Sequence, residues 1–323
     1  MRASAPSDLR LPLAVVAHDA GAANLILGWI RDLPAAQLRL CASGPAARLF
    51  TATFPDHALL PVATVLDGAA QLLSGTSGPQ TSVEHAARRL ARSRGVPSIG
   101  VVDHWVNYAP RFTRDGETIL PDEIWVADTH ALALVRRTFP GCVVRELPNL
   151  YLDGIASDAR TASRVHAGVT HVLYVLEPMH SDWGRGGSAG EFQALDFFNE
   201  NKGLLGLPAY TLIRLRPHPS DAPGKFDTWL ARQGDPHQSL DTTGTLAAAI
   251  GWADWVVGCE SFALVAGLAA GRRVASTLPP WAPACRLPHP EVIHLCNLAP
   301  QPDVVAFTGS QPRVQKAPAL ATG

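Results

Sequence analysis

Residues 11–33, LPLAVVAHDAGAANLILGWIRDL, decide how the rest of the chain is read. A short apolar run ends at Ala17. His18, Asp19 and a small-residue turn at Ala20-Gly21 follow, and an amphipathic pattern then begins. That is strand, tight turn, helix. The strand is apolar at consecutive positions rather than alternate ones, as expected where both faces of a parallel sheet are covered.

Similar units recur outward from this one. LRLCAS (38–43) precedes the helix pattern GPAARLFTATF, and LLPVAT (59–64) reads as a strand before a helix over TVLDGAAQLL. SVEHAARRLARSRG (82–95) reads as a helix ending at Gly95. The strand PSIGVVD, the aromatic segment HWVNYAPRF, the strand EIWVAD, the helix THALALVRRTF and the strand CVVRELPN complete the series. Around residues 147–164 polar and small residues interrupt it. A second α/β series then runs from THVLYVLEP (170–178) to RRVAST (272–277), and the tail is rich in Pro, Gln and Ala. The expected fold is α/β: two Rossmann-like, doubly wound domains facing across a cleft. The expected division is 1–155, 156–305 and a tail, 306–323.

Composition narrows the function. The 323 residues are 47% apolar, enough for two cores, and the net charge is -1. Bulk charge therefore speaks against a nucleic-acid partner, and any anion must be met by a local cluster. The five cysteines show no CxxC spacing and read as reduced thiols in a cytoplasmic protein. No apolar run reaches the roughly 18 residues needed to span a bilayer. A place at the inner face of the membrane through peripheral association is compatible with this.

In parallel sheets of this kind, chemistry collects at strand C-termini. In the second half those ends carry Glu177; then Arg214, Arg216, His218 and Ser220 in IRLRPHPSD (213–221); then Glu260 and Ser261 in GCES. IRLRPHPSD is open to two readings, a capped turn or an anion site of guanidiniums, imidazole and hydroxyl. Ser261, opening a helix, is either a plain N-cap or part of an anion cradle. Glu260 has the chemistry to accept both hydroxyls of a ribose. These seven are the candidate nucleotide-binding residues. The glycines of WGRGGSAGEF (183–192) only approximate a dinucleotide fingerprint and fit a loop over the donor better than a NAD site.

In the first half, AHDAGAAN offers His18, Asp19 and Gly21, whose missing side chain permits close approach of a ligand. VVDHWVNY offers Asp103 and His104, with Trp105 and Tyr108 as sugar platforms. Asp19, Asp103 and His104 are the candidate catalytic residues, as general base or nucleophile. Asp19 as a helix cap and Asp103-His104 as a buried structural pair are the alternatives. His57, His85, His237 and His289 sit in surface-like contexts. With no Asp-x-Asp pair, a metal-held phosphate is not expected.

On these residues the chain resembles the GT-B glycosyltransferases. His218-Pro219 and the helix start at Ser261 resemble the HP and serine/threonine motifs of bacterial sialyl- and Kdo-transferases, where they hold CMP. Asp19-Ala20-Gly21 resembles their acidic-x-Gly motif, with alanine where a second acid is common. GTSGPQTSVEHAARRLARSRGVPSIGVVDHW (75–105) is similar to a loop and strand of bacterial polysaccharide-biosynthesis proteins. The resemblance implies a metal-independent transferase, with no cofactor beyond its nucleotide-sugar donor. The implied donor is a CMP-linked ulosonic acid, and the acceptor a glycan or lipid-linked glycan. A UDP-sugar 2-epimerase, a CDP-polyol transferase and a non-catalytic nucleotide- or sugar-binding module are the competing readings.

Overall fold

Strands apolar on both faces are satisfied only between two helical layers, and both halves of the chain are built that way. The computed structural model describes residues 6, 8–78, 80–162, 168–178 and 183–299. His180 in the polar segment after Glu177, residues 300–305 and the tail from 306 lie outside them.

The first domain contains β1 (Leu13–Ala17), α1 (Ala20–Ile30), β2 (Leu38–Ala42), α2 (Gly44–Thr53), α3 (Val62–Val65), β3 (Gln71–Ser74), α4 (Val83–Arg94) and β4 (Ser98–Val102). It continues with α5 (Tyr108–Phe112), the hairpin β5 (Thr113–Arg114) and β6 (Glu117–Thr118), β7 (Glu123–Val126), α6 (Thr129–Thr138) and β8 (Val143–Glu146). Its sheet has the order β2-β1-β3-β4-β7-β8, all parallel. The connecting helix α7 (Leu150–Thr161) leads to the second domain. There follow β9 (Thr170–Val175), α8 (Gly190–Asn201), β10 (Thr211–Arg216), α9 (Asp227–Gln233), β11 (Gln238–Leu240), α10 (Leu246–Trp252) and β12 (Trp255–Gly258). Then come α11 (Phe262–Ala269), β13 (Arg273–Ser276), β14 (Ile293–His294) and α12 (Leu295–Leu298). The second sheet is also parallel, in the order β11-β10-β9-β12-β13-β14.

Strand order reverses between β1 and β3 in one sheet and between β9 and β12 in the other. Crevices for ligands open at such reversals. All five residues of β1 and all four of β12 are buried, as their apolar character requires, and so are all five of β4, whose one polar residue, Ser98, donates to Asp122.

Three local expectations are corrected. LLPVAT is not a strand: Pro61 precedes the short helix α3, consistent with a residue that lacks the N–H a ladder needs. The strand is instead QLLS, inside the segment expected as helix, and its four residues are all buried. The interrupting stretch around residues 147–164 is mostly helix as well. Asn149 caps α7 by accepting the Leu152 N–H at 3.0 Å, and the expected boundary at residue 155 falls inside it. The hairpin passed unnoticed although Asp115-Gly116 announces it; both residues have positive φ, as its tight turn demands.

Helix α7 lies on α10 and α11 of the second domain while also touching α1 of the first. Gly251 lets α10 come close. A Cβ there would sit 3.1 Å from the Ala159 carbonyl oxygen and closer still to the Ala162 methyl group. Gly251→Ala is therefore expected to lower stability by about 1–3 kcal/mol through overpacking, read as a lower midpoint in urea or thermal unfolding. Among the described residues no helix is long and apolar enough to cross a membrane.

Candidate active site

The first-domain side is built on the turn after β1 and the loop after β4. His18 Nδ1 lies 2.8 Å from Asp19 Oδ1, and Asp19 opens α1 without a side-chain capping bond. The backbone of His18 is fixed from below: its N–H donates to Glu84, a buried carboxylate that also accepts the Ser77 hydroxyl. Three arginines hold the carbonyls of the loop after β3. Arg88 donates to Gly75, Arg111 to Thr76 and Arg114 to Ser77.

Asp103 faces the first turn of α1, where the helix dipole favours an anion. Arg111 donates to its Oδ1 at 2.9 Å. Gly21 is what makes room: a Cβ there would fall 2.9 Å from Asp103 Cγ and closer to Oδ2. Gly21→Ala should thus swing Asp103 off Arg111 while slightly favouring the helix. The expected result is a folded protein, less stable by about 1–3 kcal/mol because the gain in helix propensity does not offset the displaced pair, with turnover reduced by roughly tenfold or more, since a displacement of about 1 Å at a reacting group has effects of that order. Paired thermal unfolding and turnover assays check it.

His104 follows directly, with Nδ1 buried and without a partner. Burial lowers its pKa; Asp103 opposes this, and Glu260 and Arg286 of the second domain are near enough to act on it across the cleft. Trp105 and Tyr108, expected as sugar platforms, are core residues, 7% and 6% exposed. Trp105 Nε1 donates to Asp128 at 2.9 Å, and Tyr108, with its hydroxyl buried and unpartnered, has its pKa pushed up by burial. The aromatic rings that line the cleft are Tyr151 and Phe262, stacked on one another at 5.8 Å.

On the second-domain side, IRLRPHPSD is both a capped turn and a presented imidazole. Asp221 accepts the His218 backbone N–H at 2.8 Å and pairs with Lys225, which also pairs with Glu191. Ser220 turns its hydroxyl (2.7 Å) and its backbone N–H (3.2 Å) onto His218 Nδ1. An Nδ1 that accepts an N–H carries no proton, so the ring proton sits on Nε2. Partial enclosure lowers the His218 pKa; Asp221 opposes this and Lys225 adds to it. His218 is thus a neutral imidazole with an Nε2–H donor.

The two arginines do not join it. Arg216 is taken by the buried carboxylate of Asp241 and by Thr243, and Arg214 lies 4.0 Å over the ring of Trp252. Glu260 is 6% exposed and accepts from Arg286 through its backbone N–H and Nε, both at 3.0 Å, and through Nη2. Glu177 accepts the Glu260 backbone N–H at 3.1 Å; burial raises its pKa, that N–H opposes the rise, and the Glu260 carboxylate adds to it. Ser261 caps α11, its hydroxyl accepting from Ala263 at 3.2 Å. Arg286 was missed, and so were Glu84 and Tyr151. The signal for the Arg286 segment was a second Pro-His-Pro, at 288–290. Two surface-like histidines are corrected with it: His85 is 2% exposed, and His289 packs against Trp105.

A cavity of about 290 Å³ between the domains is lined by Gly21, Asp103, His104, Tyr151, His218 and Phe262, among others. A second, of about 380 Å³, adjoins it through Asn24 and Tyr151. Among the described residues no group of three or more His, Cys, Asp or Glu comes together to hold a metal ion.

No protein-family model and no curated relative matches the sequence. Solved structures do match in shape. UDP-GlcNAc 2-epimerase from Neisseria meningitidis, solved bound to UDP-GlcNAc, superposes with a TM-score of 0.58 at 10% identity, over 85% of this chain and 84% of that one. A putative UDP-N-acetylglucosamine 2-epimerase from Listeria monocytogenes gives 0.54 at 10% identity, over 81% and 78%. UDP-GlcNAc 2-epimerase from Methanocaldococcus jannaschii gives 0.52 at 9%, over 82% and 83%. At such identities the likeness shows the fold: two facing parallel-sheet α/β domains of the GT-B kind.

Proposed function

We propose that this chain is an enzyme that acts on a nucleotide-activated sugar in the cavity between its domains, with epimerisation next to the anomeric carbon as the reaction. The observation that carries this reading is the meeting of Asp103, His104 and His218 in one cavity at the mouths of both sheets. Asp103 takes the proton from the ring carbon. The electron pair forms a double bond to the anomeric carbon as the bond to the nucleotide breaks. The departing phosphate is met by the neutral Nε2–H of His218 and the N-terminal turn of α11. Asp103 passes the proton it took to His104, the imidazolium returns a proton to the opposite face, and re-addition of the nucleotide completes the inversion with both groups as they began. The three structural matches, epimerases by their names, support this reading over the donor implied by the HP motif. No cofactor beyond the substrate enters the scheme.

Transfer to a glycan acceptor is the second reading, and the adjoining cavity of about 380 Å³ favours it as a place for a second substrate. The test is incubation with UDP-N-acetylglucosamine in D₂O, with and without chelator, followed by proton NMR. Deuterium at C2 without any acceptor supports epimerisation. Absence of exchange, with transfer from a CMP-sugar to an oligosaccharide, replaces it with the second reading. Binding of nucleotides without any reaction would leave a binding module.

A further inference from the structure

We propose that His289 is a positioning residue: the β13–β14 segment of the second domain carries it across the cleft to hold the Asp103-His104 loop of the first. The segment is anchored first to its own domain. Thr277 N–H donates to Gly258 at 2.7 Å, and Arg286 makes its set of bonds to Glu260 beside the β9–β12 reversal. Leu287 and Val292, 6% and 3% exposed, are buried in one apolar cluster with Trp105 and Tyr108 of the first domain. Between them His289, flanked by Pro288 and Pro290, meets the ring of Trp105 edge-on at 5.0 Å and that of His130 at 5.1 Å.

Trp105 is the neighbour of His104, their rings 5.2 Å apart, and is held from the other side by Asp128. The loop ends at Asn107 with φ +59, a left-handed turn that asparagine enters more readily than most side chains. Outside that turn the loop carries no regular structure, and the second domain supplies part of its hold. The choice of side chain matters. A phenyl ring in this place would bind the domains together. An imidazole makes the same ring contacts with less apolar surface, so it holds Trp105 less tightly than a phenyl ring would. The catalytic meaning of this bridge rests on the proposed roles of Asp103 and His104; its existence is testable without any substrate.

The experiment is amide hydrogen exchange on the full chain without ligand, comparing wild type with His289→Ala, His289→Gln and His289→Phe. Loss of two ring contacts should speed exchange of the α5 amides that hang on this loop, Arg111 N–H on the Asn107 carbonyl among them, by about tenfold in the Ala and Gln variants and leave the β1 and β12 cores unchanged. The Phe variant should restore protection to the wild-type level or beyond. Should Ala fail to fold, Gln carries the test. Unchanged exchange in α5 in a folded Ala or Gln variant overturns the proposal. So does an equal rise throughout both domains, or failure of Phe to restore protection. If these amides respond as stated while no nucleotide-sugar turns over, the bridge stands and the proposed reaction falls.

Discussion

Asp103→Asn should bind nucleotide almost as wild type does and lose turnover by roughly 10²–10⁴-fold, the contribution of a positioned general base. The amide keeps an oxygen for Arg111, which donates to Oδ1 at 2.9 Å, so the loop has no reason to move. What it loses is the ability to accept a ring proton. Deuterium uptake at C2 of the sugar, measured beside calorimetric titration with UDP, separates the two quantities. Full turnover in the mutant would exclude Asp103 as the base. Loss of binding together with turnover would make Asp103 a substrate ligand instead.

His218→Ala should show the opposite split at the binding step. A hydrogen bond from the imidazole to a charged phosphate contributes about 1.5–3 kcal/mol, so affinity for UDP should fall roughly 10- to 150-fold. The turn itself should survive, because Asp221 accepts the backbone N–H of residue 218 rather than its ring. Ser220→Ala is the informative companion. It removes the hydroxyl on Nδ1 but leaves the backbone N–H that sets the tautomer, and its effect should be much the smaller of the two. Equal affinity of wild type and His218→Ala for UDP would remove His218 from the site.

The features legible in the sequence are the local ones. Two α/β halves follow from apolar runs alternating with helical periodicity. The turn at His18–Gly21, the imidazole of Pro-His-Pro and the cap at Ser261 are each written in a few adjacent residues. What escaped was decided at a distance. Arg216 looked like a free cation because its partner Asp241 lies 25 residues on, and Glu260 looked like a free acceptor because Arg286 lies 26 residues on. Trp105 and Tyr108 looked like platforms because nothing local says that a segment near residue 289 will cover them. QLLS was absorbed into a helix because four residues are too few to display a period.

Helix α7 has a bearing on how the molecule divides. Since it rests on α10 and α11, the chain's natural joint is not the polar stretch but the three residues Leu147-Pro148-Asn149, where the Pro148 carbonyl accepts the indole N–H of Trp29 at 2.9 Å. A split made at the joint would give two fragments, each with its whole sheet and its own covering helices. One made at residue 155 would leave half a helix on each piece and an apolar stripe bare on both. Engineered reporters that rejoin two halves of the protein should therefore be cut between Leu147 and Pro148, which keeps the Asn149 cap with α7 and leaves the indole of Trp29 as a built-in docking point for the Pro148 carbonyl of the returning fragment.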